Sequence, residues 1–314
     1  MGIISFGEGK FNELFRHFQW GIGVVREPIH AFLDADARPK VEWFAPLDKG
    51  RFLADPFGLM RDGRVRVLCE EFDYRTRKGT IVYLEFPIPP GMPQPQPVIR
   101  GPFHMSYPYL FEYQGEVYCV PETHHAREVS LYKAEEFPLR WNRAATLIKG
   151  IGGLDITIFE HSDRWWLACT DFDRGPETDL LVWHAPSPLG PWTPHPRNPV
   201  KRDIGSARSA GTPFRHKGNL YRPAQDCSKR YGGRVVLNRV TRLTPTEFQE
   251  EPAAVVEPYS EGPYPDGIHT LSAAGDYTLV DGFRLTFIKS AFRNAVRRDY
   301  QGYRASVGAF IHKG

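Results

Sequence analysis

ADPFGLMRDGRVRVLCEEFD (Ala54–Asp73), SYPYLFEYQGEVYCVPET (Ser106–Thr123) and LDITIFEHSDRWWLACTDFD (Leu154–Asp173) are three copies of one pattern. Two weaker copies follow: SAGTPFRHKGNLYRPAQDCS (Ser209–Ser228) and DGIHTLSAAGDYTLVDGFR (Asp266–Arg284). They recur at intervals of about fifty residues, the spacing of a propeller blade. Each copy predicts a strand, a tight turn and a second strand rich in aromatic and β-branched residues. The turns fall at Asp62-Gly63, Gln114-Gly115, Ser162-Asp163, Lys217-Gly218 and Gly275-Asp276. Several strands per copy and five copies predict a five-bladed β-propeller, an all-β fold whose inner strands surround an axis. Function is then sought where the copies differ, at the positions that face one another.

The outer strands are expected from GTIVYLEFP (Gly79–Pro87), VSLYKAEEFP (Val129–Pro138), LLVWHAPSPLGPWTPHPRNPV (Leu180–Val200) and RVVLNRVTRLTPTEF (Arg234–Phe248). WGIGVV (Trp20–Val25) is strand-like and precedes the first copy, so it is expected to pair with the last blade and close the ring. The proline-rich piece Pro87–Pro97 is expected to be a surface connection. The whole chain, 1–314, is expected to be one domain: a short amphipathic lead-in, a propeller over about 20–288 and a basic helical tail over about 289–314.

Composition agrees. The 28 prolines and 29 glycines among 314 residues suit many short strands joined by turns, and 41% hydrophobic content supplies a core. A net charge of +3 with interspersed signs argues against nucleic acid as a partner. No apolar run is long enough for a transmembrane segment, and MGIISFGEGKFNELF has no signal-peptide core, so a cytoplasmic location is expected. Cys69, Cys119, Cys169 and Cys227 lie on the second strands of different copies, where they serve as small buried hydrophobes rather than disulfides.

Aligned on their turns, the copies open with Asp55, Tyr107, Asp155, Ala210 and Gly267. A carboxylate opening an apolar strand needs water, a partner or a substrate, so Asp55 and Asp155 are expected to share one axial funnel. A second ring is Glu70, Glu122, Thr170 and Gln225, with Asp171 and Asp226 beside the last two. Strand alternation sends one of each neighbouring pair inward and the other away. His269 lies on the fifth inner strand, and Arg208 and Arg222 flank the fourth, placed to hold an anion or to neutralise the acids. His124-His125 are read as adjacent strand residues on opposite faces and so as a poor ligand pair.

With those acids in place, the pattern resembles the five-bladed glycosidases: the family 43 arabinanases and xylosidases, the invertase and levansucrase group, and the mannoside phosphorylases. ADPFG (Ala54–Gly58) is similar to their blade-one Asp-Pro motif, SPLGPWTPHPRNPV (Ser187–Val200) to their Gly-Pro-Trp edge strand, and DGIHTL (Asp266–Leu271) to their blade-five His motif. A longer resemblance, over about 40–285, is to the N-terminal domain of plant glucosamine inositolphosphorylceramide transferases and its stand-alone bacterial relatives. It rests on ADPF, VPET, DITIF with RWWL, and LYRPAQDCSKRYG (Leu220–Gly232).

The resemblance implies glycoside hydrolysis or glycosyl transfer in cell-surface polysaccharide metabolism. Asp55 would be base or nucleophile, Glu122 the acid and Asp155 the orienting carboxylate, with Tyr107, Arg208, Gln225, Asp226, His269 and Glu70 positioning the sugar. It leaves room for an axial calcium ion near His269 and for a glycosyltransferase as partner. One departure stands out: where family 43 opens the fourth inner strand with its acid, this chain has Ser209-Ala210. The alternatives are a relocated acid, Glu122 first and Asp226 second, or a propeller that binds a glycan or sugar nucleotide without turning it over. A scaffold without any site would leave the inner acids unexplained.

Overall fold

The computed structural model describes residues 16–34, 39–87 and 94–296. Five antiparallel sheets form the five blades. Blade one runs outward through Arg51–Arg61, Arg64–Asp73, Lys78–Phe86 and Gln96–Ile99. Blade two uses Ser106–Tyr113, Glu116–Glu122, Glu128–Glu136 and Arg140–Lys149. Blade three has Gly153–Glu160, Trp165–Asp171 and Asp179–Ala185, edged by Thr193–Pro194 and Lys201–Arg202. Blade four comprises Phe214–His216, Asn219–Asp226, Arg234–Leu243 and Phe248–Val256. Blade five joins Leu271–Ala274 and Tyr277–Thr286 to the N-terminal strands His17–Val25 and Val41–Trp43.

The expected closure is present: His17–Val25 pairs along its whole length with Tyr277–Thr286, setting Trp20 opposite Phe283 and Ile22 opposite Asp281. The ring therefore has no open edge at its seam. The cysteines are all free and buried. Residues 289–296 are helical; 297–314 of the expected tail, 1–15 of the lead-in and 88–93 of the proline-rich connection lie outside the described residues. That connection is shorter than expected, because Gln96 and Pro97 already open blade one's outer strand. No helix among the described residues is long and apolar enough to cross a membrane.

The turns are of the kind their residues favour. Asp62 and Gly63 have φ of 51° and 72°, and Gln114 and Gly115 have 52° and 78°, the paired positive values of a type I′ hairpin. A second set of positive φ values lies at the axis: Asp55 at 53°, Tyr107 at 43° and Asp155 at 50°. Each sits inside a register slip of its inner strand, between Ala54 and Phe57, Ser106 and Tyr109, and Leu154 and Thr157. The three are equivalent β-bulges, and each frees one backbone amide from the ladder.

Blade four departs at this level. Gly211, with φ of 118°, lies so close to blade five that an added Cβ would fall 1.8 Å from the Leu271 carbonyl oxygen. Leu271 N–H donates to Ala210 O at 2.8 Å and Thr212 N–H to Leu271 O at 3.0 Å, stitching the two blades through backbone. Gly211→Ala is expected to cost about 3 kcal/mol or more, because a backbone atom has to move. Gly218→Ala, in an open hairpin turn with nothing within 4 Å, is expected to cost about 1 kcal/mol. Urea unfolding midpoints of the two variants check the contrast.

Candidate functional site

The axial bulges point their amides at carboxylates. Asp281, fully buried on blade five, accepts Asp55 N–H at 3.2 Å through Oδ2. Its Oδ1 accepts His269 N–H at 3.0 Å and Thr270 N–H at 2.9 Å. Asp55 Oδ2 accepts the Tyr107 amide at 3.2 Å, and Asp55 Oδ1 accepts the Thr270 hydroxyl at 3.2 Å. Glu122 Oε2 accepts the Asp155 amide at 3.1 Å, and its Oε1 lies 2.8 Å from His124 Nδ1. Asp155 Oδ2 is gripped by Arg208 Nε and, at 2.7 Å, by Gln225 Nε2.

These residues surround a cavity of about 390 Å³ at the axis. Asp55, Glu70, Glu122, Asp155, Arg208 and His269 line it, with Trp20, Phe52, Phe72, Phe172 and Tyr231 as aromatic walls. His269 stacks on Trp20 at 3.9 Å, and the Arg208 guanidinium lies over the Tyr231 ring at 4.9 Å. Aromatic faces beside polar groups suit a sugar, whose C–H face is apolar and whose edge carries hydroxyls.

Burial pushes the Asp55 carboxyl up to about 7, with His269 opposing it. For His269, burial works against the charge, but Asp281 and Asp55 outweigh it and raise the imidazole. His269 Nδ1 is 2.6 Å from Asp281 Oδ2, and Nε2 is 3.5 Å from Asp55 Oδ1. Asp281, His269 and Asp55 thus form one buried chain of contacts, in which the Asp55 carboxyl and the His269 imidazole are both raised. Burial also raises Asp155, with Arg208 pulling it back. Glu122 goes the other way: burial is outweighed by His124 and Arg208, which hold it down at about 2.

Asp55, Asp281 and His269 each offer a ligand atom within 4.8 Å of the others. Two carboxylates and an imidazole supply only part of the six to eight ligands that a calcium ion takes, with water left to complete the rest. All three side chains are already committed to one another and to backbone N–H groups.

Several expectations need correction. Tyr107 does not face the funnel. Its fully buried phenol oxygen accepts Gly211 N–H at 2.7 Å and lies 3.1 Å from Thr157 Oγ1, tying blades two, three and four together outside the cavity lining. Asp226 points away from the axis, as alternation requires beside the inward Gln225. It meets Arg234 Nε at 2.8 Å in a separate cleft. Gln225 reaches the site only through Asp155. Arg222 is buried against Glu250, in blade four's own sheet. Glu122, expected to be the acid, is held as an anion with both oxygens engaged. His124 and His125 lie in a short 3-10 turn rather than a strand, so their rings pack 4.0 Å apart and His124 reaches Glu122.

The unforeseen residue of most consequence is Asp281. Its signal was an acid inside the apolar run LVDGF, on the second strand of the copy whose second-ring member was left unassigned.

Residues 48–261 match the family described as glucosamine inositolphosphorylceramide transferase 1, N-terminal. The chain is 42% identical over 156 residues to glucosamine inositolphosphorylceramide transferase 1 of Oryza sativa subsp. japonica, a match covering 48% of this chain and 21% of that protein. The Arabidopsis thaliana protein of the same name is 34% identical over 206 residues, 63% of this chain and 27% of that one. The chain therefore spans only 21% to 27% of the length of these relatives. Among solved structures, a family 117 glycoside hydrolase of the marine bacterium Zobellia galactanivorans superposes with a TM-score of 0.52 at 14% identity, over 87% of this chain and 91% of that one. A family 62 α-L-arabinofuranosidase of Coprinopsis cinerea gives 0.50 at 13% identity, over 75% and 90%. At such identities the likeness concerns the fold.

Because Glu122 is depressed from 4.5 to about 2 and is buried, its charge contributes about 3 kcal/mol of stability at neutral pH. That contribution is present above the unfolded-state pKa and is lost as the pH falls through about 2. Glu122→Gln is expected to be less stable by about this amount at pH 7, with the gap to wild type closing as the pH falls towards that value. Denaturant titrations across the acid range measure it.

Proposed function

From the chain's place in the family of N-terminal domains of glucosamine inositolphosphorylceramide transferase 1, we propose that it binds a sugar in the axial funnel and cleaves or transfers its glycosidic bond. One observation carries this reading. Asp55, with its carboxyl near 7 and coupled to His269 and Asp281, shares a water-accessible cavity with Asp155 and an aromatic wall. A carboxyl poised near neutral pH can take a proton from an attacking hydroxyl, which is what a general base does.

In this reading Asp55 is the base or nucleophile. Asp155, braced by Arg208 and Gln225, orients the sugar; Glu122 remains ionised and fixes the bulge that presents Asp155. The relatives' name points to glucosamine. Asp55 and Asp155, the acids of the cavity wall that open their strands, suit the ammonium group of an amino sugar. The partner proposed is a glycosyltransferase, and the role proposed is in cell-surface glycan assembly inside the cell.

A second reading has its own observation. At the place where the resembled glycosidases carry their acid, Ser209 and Ala210 are fully buried and blade four gives the funnel no carboxylate. That favours a propeller that holds a sugar for a partner enzyme.

Turnover of aryl glycosides and sugar nucleotides, measured beside calorimetric binding of glucosamine, N-acetylglucosamine and glucose, separates the two. The enzyme reading expects turnover that rises through a pH midpoint of about 7, as Asp55 loses its proton, and that falls at least a hundredfold in Asp55→Asn. Glucosamine binding that survives Asp55→Asn, with no turnover by wild type, establishes the binder instead.

A further inference from the structure

We propose that Glu70 is the proton donor of the axial funnel, a neutral carboxylic acid that protonates the oxygen leaving the sugar. The inference rests on the glycosyl-transfer reading above and concerns a residue that reading leaves idle.

Four side chains stand at one level on the second strands of blades one to four: Glu70, Glu122, Thr170 and Gln225, all buried. Three are occupied. Glu122 holds the Asp155 amide and meets His124, Thr170 donates to Pro176 O at 2.7 Å, and Gln225 donates to Asp155 and to Ser209 O. Glu70 lines the cavity, yet its buried Oε1 has no hydrogen-bond partner among the described residues.

The one base beside it does not change that. His104 Nδ1 lies 3.7 Å from Glu70 Oε1, but it already accepts Gly79 N–H at 2.9 Å. That nitrogen therefore carries a lone pair and offers Glu70 no proton. Burial lowers the His104 pKa, so no cation is supplied there either. The largest charge effects on Glu70 come from Asp55 of its own blade and from Glu122, Asp155 and Asp281 of other blades, all of the same sign as its anion; Arg208 and His269, which line the same cavity, are not among them. Burial, then those acids, raise its carboxyl well above the ordinary range. An unpaired buried carboxylate is costly, and the neutral acid avoids the cost. The contrast with Glu122 separates the two by environment: one carboxyl kept ionised, one kept protonated.

The step balances. The glycosidic C–O bond breaks with its electron pair on the departing oxygen, which takes the Glu70 proton. The attacking hydroxyl, from water or an acceptor sugar, bonds to the anomeric carbon and gives its proton to Asp55. Exchange with solvent then restores both carboxyls.

Glu70→Gln in the full chain tests this in two ways. Infrared difference spectra at pH 7 should show a protonated-carboxyl band in wild type that is lost in E70Q. Turnover should fall about 10²- to 10⁴-fold on glycosides with alkyl leaving groups, and less than about tenfold on dinitrophenyl glycosides, which depart without a proton. E70Q should keep its melting midpoint, since one neutral group replaces another. No band difference, equal losses on both leaving groups, or an unfolded E70Q would each overturn the assignment. Should wild type turn over no glycoside, the glycosyl-transfer reading fails. Glu70 as proton donor falls with it, and what then stands, if its band shifts when glucosamine binds, is a neutral Glu70 that donates a hydrogen bond to the bound sugar; no shift removes that as well.

Discussion

The rest of the molecule depends on a ring of buried polar ties in which each blade's group is held by a neighbour's. Asp281 of blade five holds the Asp55 amide of blade one; Asp55 holds the Tyr107 amide of blade two; Glu122 of blade two holds the Asp155 amide of blade three. Asp155 then meets Arg208 and Gln225 on the blade-four side, and Ala210, Gly211 and Thr212 run against Leu271 of blade five. A left-handed non-glycine residue costs on the order of 1–3 kcal/mol, and an unpartnered buried carboxylate costs more. Here each problem answers the other. The bulge turns an amide away from its own strand, and that amide is the donor a neighbouring buried carboxylate needs.

That arrangement makes stability and the candidate chemistry share side chains. Asp55 is at once a wall of the funnel and the acceptor that fixes Tyr107, whose hydroxyl in turn meets Gly211 across the axis. Loss of activity on replacing such a residue is therefore weak evidence for a catalytic role unless stability is followed alongside. Glu70 carries less of this ambiguity, because its buried Oε1 has no hydrogen-bond partner among the described residues.

Much of this was legible in the sequence because it is local. Asp62-Gly63 and Gln114-Gly115 carry the residues that type I′ turns demand, strand alternation sets the second ring, and Trp20–Val25 could be matched to the seam because a propeller has one unpaired edge to fill. Asp55, Glu122 and Asp155 emerged from aligning the copies, and they do share one cavity. What stayed hidden depends on contacts between blades. Nothing in SYPYLF says that Tyr107 adopts φ of 43° and stays out of the cavity lining, since its amide is held by the Asp55 carboxylate on another blade. The turn after Glu122 curls into His124–Ala126 and brings His124 back onto Glu122, which reverses the proton expected on that acid.

The fourth blade shows how the missing carboxylate alters the electrostatics instead of merely emptying a position. Ser209 and Ala210 are buried, so an acid there would need its own partners. The residues nearest in sequence, Arg208 and Gln225 across the strand pair, are instead turned onto Asp155. Blade four thus supplies a cation and an amide to an acid from blade three, where a carboxylate would have added a like charge to Asp55, Glu122 and Asp155. With that charge absent, Arg208 can rest on Tyr231 and face the cavity as its fixed cation. A funnel built this way keeps one carboxyl ionised at Glu122 and one near neutrality at Asp55, with groups held in place before any ligand arrives. Preorganisation of that kind is the property a site needs if it is to stabilise charge that develops on a bound sugar.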